Sequence, residues 1–226
     1  MNNRRRFLLQ STLATTAFIA AKPFTSFAKG TSFLSQKFPI YNHITFLHTV
    51  GRSTDIVNKV KKLTNNAPSL LLAHDDKKNF AEPQLLRYDF YVPTNNSNPE
   101  AYTIIEKEHV RIGIVSVNIS DTNPIAFANK NASLLKREQG CSIVVCISNL
   151  GFDSKNEVDD LSLAEQSEHI DLILGNYSSS SLNKPMIAQN KNKAEVIIQH
   201  TENNIEALSK IKIGFSAKGT KQHVSF

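Results

Sequence analysis

Apolar and polar positions along the chain change period several times, and each change marks an element. The run "HITFLHTV" (43–50) packs Ile, Phe and Leu into a short apolar stretch and predicts a strand. "STDIVNKVKKLTNN" (53–66) shifts to a helical period. Ser53 or Thr54 stands at the capping position there, and Ile56, Val57, Val60 and Leu63 fall on one face. "PSLLLAH" (68–74) predicts a second buried strand, and residues 75–86, with Pro83, a loop. "YDFYVP" (88–93) and "AYTIIEKEH" (101–109) alternate as half-exposed strands do, separated by the loop-forming "TNNSNP".

The second half repeats the scheme more clearly. "VRIGIVSVN" (110–118) predicts a buried strand. "NPIAFANKNASLLKREQG" (123–140) predicts a helix with Pro124 in its first turn and Gly140 at its stop. "SIVVCIS" (142–148) predicts a strand, "NEVDDLSLAEQSEH" (156–169) a helix and "IDLILG" (170–175) a strand. Residues 176–181, "NYSSSS", then predict a loop. Three strand-like runs close the chain: "KPMIAQ" (184–189), "AEVIIQH" (194–200) and "IKIGFS" (211–216). Alternating helices and strands with a β-rich end imply an α/β fold with a mixed sheet or two stacked sheets.

Charge changes this picture only at the amino end. "NNRRRFLLQ", the short apolar "STLATTAFIAA" and the small residues Ser26, Phe27 and Ala28 together read as a secretory signal over 1–28. Arg4 and Arg5, followed by Arg6, Phe7 and Leu8, fit its twin-arginine form. Residues 29–42 then form a linker and 43–226 the domain. The formal charge of +6 shrinks accordingly. Arg4, Arg5, Arg6 and Lys22 lie in the signal with no acid beside them, leaving 22 basic and 20 acidic residues, a net of +2. No concentrated basic face is expected, so no nucleic-acid partner, and no membrane span remains once the signal is removed; an uncleaved signal kept as an anchor is the alternative. Cys141 and Cys146, taken as one strand, stand about 16 Å apart by strand rise. That is too far for a disulfide, so both read as buried small side chains.

Several strings go further than pattern. "FLHTVGRS", "VVCISNLG" and "IDLILGNYSS" resemble three motifs of the metallophosphatase (calcineurin-like phosphoesterase) domain of the 5'-nucleotidase family. Those motifs read roughly Leu-His-Thr-Asn-Asp-any-His, Ser-His-Leu-Gly, and Ile-Asp-Leu-Ile-Leu-Gly-Gly-His-Ser-His. "VRIGIVSVN" and "VIIQH…LSKIKIGF" are similar to its core strands, so the resemblance covers most of 43–215. It implies an α/β/β/α sandwich, two mixed sheets flanked by helices, and a centre of two divalent metal ions that activate water.

The ligand positions depart from the family. The Asp and His of the first motif fall on Gly51 and Ser53, the His of the second on Asn149, and the two His of the third on Tyr177 and Ser179. The Gly-Asn-His-Glu segment has no counterpart. His74, Asp75 and Asp76 form the one dense group of donors near a predicted strand end, read as a polar turn with a residual metal site as the alternative. His48 occupies a position that is not a ligand in the motif and reads as a hydrogen-bonded core histidine; His200 reads as structural.

With imidazole and carboxylate donors replaced by Gly, Ser, Asn and Tyr, no catalytic residue and no metal cofactor are expected. The expectation is an exported, periplasmic pseudo-enzyme acting as a binding or partner module. Its partner would be another exported protein, such as a separate nucleotidase domain. The alternative is a metal-dependent phosphoester (nucleotide) hydrolase with a reduced or unrecognised site.

Overall fold

The computed structural model describes residues 42–49, 58–60, 62–63, 68–73, 89–91, 102–119, 121–152, 158–177, 184–202 and 207–226. All of them lie in the unit Pro39–Phe226. The strands are β1 (Asn42–Thr49), β2 (Ser69–Ala73), β3 (Asp89–Tyr91), β4 (Tyr102–Lys107), β5 (Val110–Val117), β6 (Ile143–Ser148), β7 (Leu172–Tyr177), β8 (Met186–Gln189), β9 (Glu195–Glu202), β10 (Leu208–Phe215) and β11 (Lys221–Ser225). Two helices are α1 (Pro124–Arg137) and α2 (Asp160–Gln166), and residues 58–60 and 62–63 are also helical.

The strands form two mixed sheets, ordered β11-β10-β1-β2-β3 and β4-β5-β6-β7-β9-β8. In the first, β1, β2 and β3 run parallel, β10 pairs antiparallel with β1, and β11 pairs antiparallel with β10. In the second, β5, β6, β7 and β9 are parallel, with antiparallel β4 and β8 at the edges.

Strand periodicity sorts the apolar side chains into layers. Ile44, Phe46, Ile211, Ile213 and Phe215 of the first sheet meet Ile143, Val145, Ile147, Leu172 and Leu174 of the second. The alternate residues of the second sheet, Val144, Cys146, Ile173, Val196 and Ile198, pack on Ala128, Ala132 and Leu135 of α1 and Leu163 and Ala164 of α2. Leu47 and Leu71 pack outward on Val60. The layers are therefore helix, sheet, sheet, helix, as the sandwich expectation has it. The strand β6 is buried throughout, and apolar up to Ser148, because both of its faces are covered. Leu172→Ala or Leu174→Ala, each truncating a side chain in the inter-sheet core, should cost about 3 kcal/mol, read from urea unfolding. An unmoved midpoint in both would remove β7 from the centre of the sheet.

Most boundaries lie within two residues of expectation, and the exceptions have local causes. The helix α1 starts as predicted: Asn123 Oδ1 accepts from Ala126 N at 3.0 Å, and Pro124 opens the first turn. It ends at Arg137, and Gly140 sits beyond it at φ +65°. The helix α2 is shorter than 156–169. Asp159 caps it, accepting from Ser162 N at 2.8 Å, while Ser162 Oγ accepts from Asp159 N at 2.8 Å. At its other end Ser167 Oγ donates to Ala164 O.

Three expectations need correction. The strand β7 does not stop at Gly175: Asn176 and Tyr177 continue it, paired with Thr201 and Glu202, so the predicted loop at 176–181 loses its first two residues to the sheet. The strand β11 has no counterpart in the sequence pattern, because "KQHVS" turns only Val224 toward the core and lies at the sheet edge. Leu63, placed on the buried helical face, is 44% exposed. The remaining members of that face, Ile56 and Val57, lie outside the described residues, as does the loop at 75–86.

Candidate functional site

Parallel strands of the second sheet end together at Val117, Ser148, Tyr177 and Glu202, and β1 of the first sheet ends at Thr49. Open α/β sheets bind ligands beyond such carboxyl ends. Two buried polar groups gather at this end, one on each face of β9.

On the helix face, His200 Nε2 lies 2.7 Å from Asp160 Oδ2, with side chains 3% and 0% exposed. His200 comes from β9 and Asp160 from the first turn of α2, so the contact ties helix to sheet. Gly175 of β7, in register with both Ser148 and His200, lies directly beneath. A Cβ there would run into Asp160 Oδ2 and the His200 ring. The ring of Phe152 packs against His200 at 5.8 Å between centroids. Burial pushes the Asp160 carboxyl above its ordinary range, while His200 and the Ser148 hydroxyl beside it pull the other way. Burial, and secondarily the Asp160 charge, push the neighbouring Cys146 thiol well up. Cys141 is raised by burial as well, and both thiols are free, buried and unreactive. Cys141 precedes β6 rather than lying within it.

On the inter-sheet face, His48 Nδ1 lies 2.7 Å from Thr201 Oγ1, whose hydroxyl donates to Ser209 Oγ at 2.8 Å. His48 is thus the hydrogen-bonded core histidine its position implied, and it clamps β1 to β9 across the sandwich. A depression of about 430 Å³ opens beside this cluster, lined by Gln199, Thr201, Leu208, Ser209, Lys210 and Phe226, among others.

Of the positions singled out from sequence, Asn149 follows β6 directly. Its backbone N–H donates to Val117 O at 3.0 Å, and its side-chain Oδ1 is buried without a hydrogen-bond partner among the described residues. Tyr177 is the last residue of β7; its side chain lies outside the described residues. Gly51, Ser53, His74, Asp75, Asp76 and Ser179 lie outside them too. His200 is structural, as read, but its partner left no local signal in the chain. Asp160 sits in a charged helix start, "EVDDLS", where either Asp could face water.

The motif resemblance implies a centre of two metal ions, and the described side chains do not by themselves make one. Asp160 and His200 point at each other, and Asn149 offers one neutral amide oxygen. Among the described residues no group of three His, Cys, Asp or Glu side chains is placed to hold a metal ion. The Ser148 hydroxyl addresses Asp160. Two buried hydrogen-bonded clusters lock the carboxyl ends of the strands together.

Solved structures resemble this fold. The chain is similar to a 5'-nucleotidase precursor from Thermus thermophilus, with 14% identity, 81% of this chain and 53% of that one covered, and a TM-score of 0.58. It is similar to the NAD nucleotidase of Haemophilus influenzae, with 14% identity, 82% and 49% covered, and a TM-score of 0.57. A phosphatase from Mycoplasma pneumoniae follows at 11% identity, 83% and 92% covered, and a TM-score of 0.50. No family model and no curated protein matches the sequence. The fold is metallophosphatase-like. The chain spans about half the length of the two nucleotidase structures. Among the described residues no helix is long and apolar enough to cross a membrane.

Proposed function

We propose that this protein is an exported metallophosphatase-fold pseudo-enzyme, a binding or partner module that has given up two-metal phosphoester chemistry. The observation that carries the reading is the end of β6. Where the resembling motif has an imidazole, the chain presents Asn149, and the nearby His200 Nε2 and Asp160 Oδ2 hydrogen-bond each other. An amide oxygen is a poor substitute for imidazole toward zinc-like ions. Gly51, Ser53, Tyr177 and Ser179 at the other ligand positions support the same reading from sequence. The depression beside Thr201 and Ser209 offers a place for a ligand or a partner's side chain. The partner would be a second exported protein, such as a separate nucleotidase domain. The test is elemental analysis of the purified protein after dialysis. Metal well below one ion per chain is expected; one tightly held transition-metal ion per chain would overturn the reading.

Export rests on the amino-terminal "RRRFL" and the Ser26-Phe27-Ala28 site. Replacing Arg4 and Arg5 by Lys should hold the precursor in the cytoplasm, seen by fractionation and immunoblotting. Unchanged export would rule out the twin-arginine route. That route carries folded cargo, which suits a domain whose two cysteines stay unpaired.

A further inference from the structure

The outer face of the first sheet carries a second histidine arrangement, which neither the fold nor the proposed function uses. His43 of β1, Gly214 of β10 and His223 of β11 stand side by side in register across three strands. Their sequence neighbours Ile44, Ile213, Phe215 and Val224 turn toward the inter-sheet core, so these three face away from it. The two imidazoles meet over the glycine, with Nε2 atoms 3.3 Å apart and rings at 71°. Gly214 makes this possible: a Cβ there would run into Nδ1 and Cε1 of His223. The ladder also shifts register between Gly214 and Phe215.

We propose that His43 and His223 form a surface binding site for a divalent transition-metal ion of the zinc type. The spacing is the argument. Two nitrogens bound to one Zn²⁺ at about 2.0–2.1 Å in tetrahedral geometry stand about 3.3–3.4 Å apart. In the metal-free protein the same spacing holds an N–H···N hydrogen bond between the rings. Binding requires both rings as Nδ1–H tautomers, so that both Nε2 lone pairs meet the ion and water completes the shell. Imidazole suits Zn²⁺, Cu²⁺ and Ni²⁺, and not Mg²⁺ or Ca²⁺. The glycine keeps the middle strand clear, so ion and waters are not crowded by a side chain between the ligands. His43 lies near the amino end of β1, about 20 Å by strand rise from Thr49 and the carboxyl ends. The site is therefore independent of the one described above.

Two imidazoles supply half the ligands of a structural zinc site, which places the Kd on the order of 1–100 µM. An ion held that weakly leaves on dialysis. The experiment is titration calorimetry of the full chain, stripped with chelator, against Zn²⁺ alone and against Mg²⁺. One Zn²⁺ per chain in that affinity range and no heat with Mg²⁺ are expected. His43→Gln and His223→Gln should each weaken Zn²⁺ binding at least tenfold, and the double variant little further, with circular dichroism checking the fold. Gly214→Ala, which pushes the His223 ring aside while keeping both imidazoles, should weaken it as well. Absence of saturable Zn²⁺ binding would mean the rings share only a hydrogen bond. Binding untouched by the two His→Gln substitutions would place the ion elsewhere, and full affinity in Gly214→Ala would contradict the geometry. Any of these overturns the proposal.

Discussion

Gly175→Ala should lower stability by about 4 kcal/mol, a large effect for one added methyl group. Gly175 closes the apolar run "DLILG" and is a natural turn residue, yet it lies inside a strand paired on both sides. Its missing Cβ is the floor on which the Asp160–His200 pair rests. A new methyl cannot be accommodated by a swinging side chain, because the two groups in its way are 0% and 3% exposed and bonded to each other. Overpacking a core typically costs about 1–3 kcal/mol, and breaking a buried hydrogen bond without replacing it about 1–3 kcal/mol more. Urea unfolding of the variant measures the sum. A loss below about 1 kcal/mol, the size of a surface change, would show that the pair is not seated on the glycine.

Asp160→Ala should cost about 3–5 kcal/mol, since it strands the buried His200 ring without its carboxylate. The two substitutions act on one cluster, so their effects should not add. In an Asp160→Ala background, Gly175→Ala should cost clearly less than it does in the parent. Asp160 also sets a pH dependence. Burial raises its carboxyl above the ordinary value, so between that value and the folded one the native state holds more protons than the unfolded chain. Stability from this group is then fully present below the ordinary Asp value of about 3.9 and is lost as pH rises through the folded value. Asp160→Asn cannot titrate and should lack this loss. Relative to the variant, the parent should weaken as pH climbs from about 4 upward, read from unfolding midpoints across a pH series. A parent that instead gains on the variant over that range would mean His200 and Ser148 outweigh burial.

The layers of the fold were legible because both faces of the second sheet are covered. The continuous apolar runs "SIVVCIS" and "IDLILG", bounded by Gly and rich in β-branched residues, read as strands without a wet side. The motif strings added the order of the pieces and the sandwich. Three things were hidden for physical reasons. An edge strand such as β11 buries too little to leave a pattern. The end of β7 is set by its neighbour β9, whose Thr201 and Glu202 extend the ladder past Gly175, and local turn propensity loses to that pairing. The Asp160–His200 contact joins residues forty positions apart, and nothing local in "EVDDLS" distinguishes the Asp that turns inward. The same holds for His43 and His223, separated by 180 positions and brought together only by β10 between them. Of the ligand positions named from sequence, Asn149 lies at the carboxyl end of β6 and Tyr177 ends β7. The others lie outside the described residues.

On the proposed reading, the carboxyl ends of these strands catalyse no phosphoester hydrolysis. The direct measurement is turnover of nucleoside monophosphates and 4-nitrophenyl phosphate by the full-length protein, with Mn²⁺ and Zn²⁺ added in turn and an Asp76→Asn variant alongside. No rate above the protein-free blank is expected with either ion, in parent or variant. Metal-dependent turnover in the parent that Asp76→Asn abolishes would contradict the account and make the protein a hydrolase.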